Sequence, residues 1–540
     1  MPEEKFKASY RFKPTLVDRA ANAFGYIRRS RLLEARTAFQ AAHYSRLNSD
    51  WITSRLSGDQ ELRMSLGIMR RRSRNLANNN DYVSGLLTWL RNNVMGPNGI
   101  TLQMRVEKAD GELNDKVNTL IEKAFTEWGK KANCCINGRM TWMDVQWLFL
   151  RSLVQDGEVF VLKHPGYAKS AYKFALQFID PDQVDHTLNK PRGLGVVTTA
   201  TGLINTNNEV RLGVEVDEDF RAVAYYVLTR HPSEGGIREY IRVPAENMIH
   251  AYLFRRINDT RGVPWIHTAA ERLYQLGRYE EAELVAARIS AAKMGFFISK
   301  TGEDMVTEKK KDGSLEITVE PGSFQQLPEG QDFKAWDPQH PNIALKDFIK
   351  VMLRAIAVGV GMSYNTLAGD YESVNFSSLR AAKLDERELC KAIQRFAIDH
   401  FHTDVIDAWG PMALTSGTLK LPKLAWSDYN LPNWRPRGWP WVDPLKDAQA
   451  NILQLMNNTD TLENICAESG DDWEHVLRQR AKEIKVVKAL GLDTMLNPTK
   501  PKAPGSGSQP DGDLAEEGKD GDTTNEDDAD AEADAGNKKE

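Results

Sequence analysis

The sequence predicts an α+β chain organised around long helices, and three observations lead to that class. Residues 261–300 and 379–409 are long stretches with apolar side chains at helical spacing. Residues 156–252 instead hold runs of β-branched and aromatic residues between turn signals. From 261 to 409 the periods succeed one another as helix, hairpin, helix, polar loop, helix. With 540 residues, 41% of them hydrophobic, the chain can bury a sizeable core.

In chain order, residues 1–80 mix helical patches with basic clusters, RRSR at 28–31 and RRRSR at 70–74. Such a basic arm suits nucleic acid or an anionic partner, although charge runs are more often solvated faces. Residues 74–95 read as an amphipathic helix with Val83, Leu86, Leu87, Leu90 and Val94 on one face, ended by Gly96-Pro97-Asn98-Gly99. Helices over 114–130 and 141–154 follow, with Trp128, Trp142 and Trp147 as core candidates, and Asp156-Gly157 turns the chain into strands. His250, ending a strand, has no nucleophile or carboxylate at motif spacing and reads as a packed histidine.

Pro264 suits a helix start, and about 34 residues without another proline continue it, with Leu273, Leu276, Leu284, Val285, Ile289, Ala292 and Phe296 as an apolar stripe. Asp312-Gly313 marks a hairpin within 301–340. The helix 345–358 has Phe348, Val351, Met352, Ala355 and Ile356 on one side and Lys346, Lys350 and Arg354, four apart, on another. Gly359 and Gly361 end it, and Ser377 or Ser378 caps the next helix, which Gly410 and Pro411 stop. The loop between them is rich in Gly, Asn, Ser and Tyr and unlike core. After it, GTLKLPKLAW is strand-like, 427–447 is Pro/Trp-rich without period, and helices close the folded part over 444–456, 460–468 and 471–490, with Asp471 a cap and Gly491 a stop.

Charge is uneven. Residues 1–80 hold 16 basic and 7 acidic residues, a balance of +9, whereas 502–540 hold 4 basic and 13 acidic, a balance of −9. The tail has too few large apolar residues to offset its ordering entropy, so disorder is expected there. No apolar run reaches the ~18 residues of a membrane span, and none resembles a signal peptide, so a soluble protein without a membrane partner is expected. Cys134, Cys135, Cys390 and Cys466 lack metal-ligand spacing and read as reduced thiols.

Enzyme signatures are missing from the sequence. It contains no G-x-x-x-x-G-K-[ST], H-E-x-x-H or G-x-S-x-G, and Gly359-Val360-Gly361 lacks the third glycine of a dinucleotide loop. His400 and His402, two apart on a helix, point to different faces, which argues against a metal site with Asp404. No catalytic residue, cofactor or metal is expected.

Several motifs carry a family resemblance. AIAVGVGMSYNTLAGDYESVNFSSLRAA (355–382), RNLANNNDYVSGLLTWLRNNVMGPNGITLQ (74–103), the Val-Pro-Ala and Ile-His within 243–250, the helix 261–300 and Trp441-x-Asp443-Pro444 occur in the order in which the lambda-like family of tailed-bacteriophage portal proteins has similar segments. The resemblance covers roughly 74–491. It implies a portal-type subunit: a basic N-terminal arm (1–73), an α+β wing (74–260), stem helix 1 (261–300), a small β-rich clip (301–340), stem helix 2 (341–360), a channel loop (361–377), a long helix and wing return (378–442), helical crown (443–500) and disordered acidic tail (501–540).

It further implies a homo-oligomeric ring of about twelve copies at one capsid vertex of the virion, assembled in the host cytoplasm. Double-stranded DNA would pass through it during packaging and ejection. The partners implied are the large terminase subunit, a head-completion adaptor, and the major capsid and scaffold proteins. Tyr364, Asn365, Tyr371 and Asn375 are the expected DNA-facing residues of the channel loop. Lys346, Lys350 and Arg354 line the channel or pair with acidic groups of an adjacent subunit, and Lys309, Lys310 and Lys311 lie in the clip. Two other readings stay open: a nucleic-acid-processing enzyme or accessory subunit, and another minor capsid or scaffold component.

Overall fold

The computed structural model describes residues 53–291, 295–299, 331–335, 344–439, 444–469 and 473–490, apart from single positions at 109, 112, 194, 201, 236, 373 and 424. Lys309, Lys310, Lys311, the Asp312-Gly313 hairpin, Trp441, Asp443, the Asp471 cap, the Gly491 stop, residues 1–52 and the acidic tail lie outside them. Contacts divide the chain into one unit ending at Asp472 and another beginning at Trp473.

Helix α1 (Gly58–Asn79) starts at a capping box, in which the Ser57 hydroxyl accepts from Gln60 N and Gln60 answers Ser57 N. The expected single helix over 74–95 is interrupted: Asn80 is extended and its side chain accepts from Val83 N, capping α2 (Asp81–Leu90), which continues into a π turn at Arg91–Met95. The asparagine is a better cap than helix interior, so the chain restarts there. Val83, Leu86, Leu90 and Val94 are nevertheless buried as their spacing predicts.

Only part of the RRRSR cluster is a solvated face. It lies on α1, and the helical period splits it: Arg71 and Arg72 are exposed, while Arg70 and Ser73 are buried. Arg70 donates to Glu158 and Asp182, and Arg74 to Asp156, Asp180 and Asp182.

Strand β1 (Thr101–Met104) leads to α3 (Asp115–Trp128) and α4 (Trp142–Asp156), the latter opened by a Thr141–Asp144 capping box. Gly157 then reverses the chain with φ +85°, where an added Cβ would meet Val263 C at 2.1 Å. Ten further strands follow: β2 (Glu158–Pro165), β3 (Phe174–Ile179), β4 (Gly195–Thr199), β5 (Gly202–Thr206), β6 (Glu209–Arg211), β7 (Val214–Val216), β8 (Ala222–Leu228), β9 (Tyr240–Pro244) and β10 (Met248–Tyr252) lie before the next helix, and β11 (Gly295–Ser299) after it. The first group forms a three-stranded sheet, β10-β2-β3, and a six-stranded sheet, β5-β4-β9-β8-β7-β6.

The helix expected over 261–300 is shorter. A 3₁₀ turn at Trp265–Thr268 precedes α5 (Ala270–Ala291), and β11 pairs antiparallel with β12 (Gln331–Ala335). The run Gly-Phe-Phe-Ile-Ser supplies aromatic and β-branched side chains that favour a strand. Leu273 and Leu276 are buried, but Leu284 and Val285 are exposed.

Next come α6 (Ala344–Val360), a short α7 (Tyr364–Ala368) and α8 (Phe376–Ala397). A π turn at Ile398–His402 joins α8 to α9 (Thr403–Thr415). Gly410 and Pro411 therefore do not stop this helix. The ring of Trp426 lies where a side chain at 410 would be, 2.1 Å from its Cβ position, so the glycine serves close packing. Among the described residues of 417–426 there is no strand, whereas Pro432–Arg435 in the Pro/Trp-rich stretch is β13, pairing antiparallel with β1. Helices α10 (Pro444–Met456) and α11 (Leu462–Ser469) end the first unit; α12 (Trp473–Ala489) is the described part of the second.

One core cluster joins α2, α3, α4, the start of α5, α6, α8 and α9. Trp128 and Trp409 are fully buried in it, Trp128 Nε1 donates to Phe174 O at 3.0 Å, and Phe149 stacks on Phe401 at 4.4 Å. Trp142 and Trp147 are half-buried against the same core.

Candidate functional site

The loop between α6 and α8 is more organised than its composition suggests. Met362 is buried, and Tyr364, Leu367 and Ala368 pack against the main core. Ser363 caps α7 by accepting from Thr366 N at 3.2 Å, and its own N–H and hydroxyl donate to the buried carboxylate of Glu386 at 3.2 and 2.7 Å. Lys383 donates to Thr366 Oγ1 and to Glu386, both at 3.0 Å. These bonds pin α7 to α8, so the expectation of a loop lying wholly outside the core is corrected for its first half.

The second half differs. Gly369 ends α7 in the left-handed region at φ +65°, and Tyr371, Glu372 and Asn375 are exposed. Asn375 caps α8, accepting from Ser378 N at 2.8 Å; the expected serine caps are displaced because an Asx side chain is already in place.

The basic stripe on α6 folds onto this loop within one chain. Lys350 Nζ and Arg354 Cζ lie 5.7 and 5.5 Å from the centre of the Tyr364 ring, and Lys346 pairs with Glu372 at 3.3 Å. Tyr364 donates to Asp370 at 2.8 Å. Partial burial and that bond raise the Tyr364 phenol pKa; the same bond, then the Glu372 N–H and the nearby lysines, lower that of Asp370. The structure thus brings Tyr364 to the stripe, puts Asn365 beside it on α7, and leaves Tyr371 and Asn375 on the open part. Asp370 and Glu372 complete the arrangement, and nothing in the sequence marks them, since isolated carboxylates in a polar loop form no motif.

The buried face of α6 is Leu353, Ile356, Ala357 and Val360. Phe348 and Val351, which helical spacing puts on the apolar side of α6, are exposed, and Phe348 meets Tyr279 of α5 at 4.9 Å.

Other candidates have structural roles. His250 is buried and hydrogen-bonds Glu158 at 3.1 Å. Burial lowers its pKa, and its Nε2 faces the Glu158 carboxylate, which can only accept. His402 is buried with Nδ1 donating to Ala397 O at 2.9 Å, while His400 and Asp404 are exposed, so these three do not converge. Among the described residues, Asp180, Asp182 and His231 approach one another closely enough for a metal, but the guanidiniums of Arg70 and Arg74 already occupy both Asp182 oxygens, a donor set unsuited to a cation. None of the four cysteines is in a disulfide, and burial pushes the Cys134 and Cys390 thiols up to about 12, which disfavours the reactive thiolate. Among the described residues no helix is long and apolar enough to cross a membrane.

Comparison with known proteins gives this arrangement a class. The family model described as phage portal protein, lambda family, matches residues 44–394, from before α1 through most of α8. The probable portal protein of Halomonas phage phiHAP-1 is 35% identical over 466 residues, spanning 84% of this chain and 87% of that one. Portal protein B of Escherichia phage lambda is 21% identical over 422 residues, spanning 69% of this chain and 74% of that one. Among solved structures, a chain from the neck of a native gene transfer agent particle computed with C12 symmetry aligns with a TM-score of 0.40 and 12% identity, covering 73% of this chain and 90% of its own. The class is that of phage portal proteins. The chain belongs to their lambda family.

Proposed function

We propose that this chain assembles as a homo-oligomeric ring of about twelve copies at one vertex of a phage capsid. Double-stranded DNA passes through the ring during packaging and ejection, and the ring is the joint between head and tail. The carrying observation is the lambda-family portal match, which runs without a break across residues 44–394. Its partners on this reading are the large terminase subunit, a head-completion adaptor, and the major capsid and scaffold proteins, met first in the host cytoplasm and then in the virion. The chain does no chemistry in this role. A channel that lets a polyanion slide needs weak, salt-sensitive contacts at backbone level rather than base readout.

Within the ring, α5 and α6 are the stem helices around the clip with Lys309, Lys310 and Lys311, and 361–377 is the channel loop. Tyr371 and Asn375 on its exposed part, and Tyr364 and Asn365 behind them, face the DNA. The pinning of α7 supports this division of labour, since a loop that meets moving DNA needs a fixed base.

Negative-stain imaging of the full-length protein tests the assembly: rings with a central hole are expected, and monomers with nuclease activity, or shells and filaments, overturn it. Replacing residues 370–374 by glycine and serine tests the loop. A longer cut back to 366 would also remove Leu367 and Ala368 from the core. Rings are expected to form with reduced packaged DNA; a normal packaged yield sinks the loop assignment.

A further inference from the structure

The stripe Lys346–Lys350–Arg354 spans two helical turns, ~12 Å at 1.5 Å per residue, enough to face several phosphates of a duplex. It is not waiting empty. Glu372 sits on Lys346, and Asp370, through the Tyr364 hydroxyl, adds its negative charge to the ring beneath Lys350 and Arg354. Two carboxylates from a three-residue stretch of the channel loop thus face a three-cation surface on the preceding helix, one by an ion pair and one through the Tyr364 ring.

We propose that Asp370 and Glu372 are built-in counter-ions of a phosphate-binding surface, and that the backbone of double-stranded DNA displaces them from Lys346, Lys350 and Arg354. This rests on the channel reading and adds to it a specific exchange. Its energetics favour easy reversal. The Lys346–Glu372 pair is about three-quarters exposed on both sides, 75% and 78%, and such pairs are worth no more than about 1 kcal/mol. A duplex offers a line of phosphates and releases condensed counter-ions when they are neutralised, so it outcompetes a single tethered carboxylate.

The exchange also has defined hinges. Gly369, already left-handed, and Asn375, the cap of α8, bound the segment that leaves, while Glu386 and Lys383 keep α7 in place. The loop carboxylates keep resting affinity low, so DNA is held by contacts that must first be exchanged. Sliding then replaces one set of anions by another rather than breaking bare ion pairs.

The test is binding of a fluorescently labelled duplex to the full-length protein, followed by anisotropy over a series of salt concentrations. Asp370→Asn keeps an acceptor for Tyr364 and Glu372→Gln keeps size, so the double variant removes charge with little change of shape. Against it stands a charge-matched control, Glu127→Gln with Glu218→Gln, two exposed residues away from the loop in sequence. The Asp370→Asn/Glu372→Gln protein is expected to bind at least about threefold more tightly than the control and to steepen the log K against log salt slope by about 1–2. Adding Lys346→Gln and Lys350→Gln is expected to abolish the gain. Equal affinity and slope in the double variant and the control overturn the counter-ion assignment. Packaged-DNA yield with wild-type rings separates this from the channel reading: normal packaging with no difference in binding overturns the counter-ions alone, whereas rings that admit no DNA overturn the channel itself.

Discussion

Glu158 shows how single residues hold the fold. It is fully buried and accepts from Arg70, from Arg261 through two bonds at 2.8 and 2.7 Å, from His250 and from the Gly262 N–H. Burial alone would raise its pKa, but Arg261, His250 and Arg70 together hold it well below the usual carboxylate range. Arg261 gives its remaining donors to the carbonyls of Val184, Leu212 and Pro181, so one guanidinium ties β2 to the six-stranded sheet. Removing the charge strands two buried arginines, and Glu158→Gln is expected to lower stability by about 3–5 kcal/mol in denaturant unfolding, whereas exposed Arg72→Ala should change it by less than about 0.5. Equal stability of the two variants would refute the network's role. Arg70 and its neighbour Arg74 were visible in RRRSR, but the partners of these two stand 82 to 112 residues away, and no local pattern connects them.

Among elements, the α8–α9 helix shows what periodicity reads and what it misses. Ile393, Phe401, Val405 and Trp409 are buried as their spacing predicts. The π turn at Ile398–His402 was not legible, because it adds one residue to the ladder without changing composition. Nor was the run through Gly410 and Pro411, which depends on Trp426 packing from a later segment. Gly410→Ala would push a methyl into that ring and is expected to cost at least about 1–3 kcal/mol, read as a lowered Tm. Trp426→Phe should recover part of the loss in the double variant; additive effects would contradict the contact. The loop was legible as polar, yet its short helix and its carboxylates emerged only from contacts with α6 and α8.

Across the whole molecule, buried histidines weaken the fold as pH falls, while the raised carboxyls of Asp156, Asp259 and Asp404 act in the opposite sense. Burial lowers His402 to about 4 from an ordinary 6.5. As pH falls from about 6.5 to 4, the unfolded chain takes up this proton and the native chain does not, so stability drops by on the order of 3 kcal/mol. His250 acts in the same sense. Glu158 and Asp182, whose folded pKa values are depressed, contribute stability that holds above the ordinary carboxylate range and is lost only as pH falls below it. Denaturant unfolding at pH 7 and pH 5 should therefore show a loss already at pH 5, smaller in His402→Gln; an unchanged pH dependence in that variant would count against the assignment. By itself the sequence determined the mixed helix-and-strand class, the uneven charge and the family, because these are properties of composition, of neighbouring residues and of motif order. Only the tertiary structure decided which arginines are buried, where the long helices end, that the Pro/Trp-rich stretch pairs with β1, and that carboxylates of the loop after α6 fold onto its basic stripe. Those depend on which distant groups meet, since a charge or a glycine acquires its role from the partner that packing brings to it.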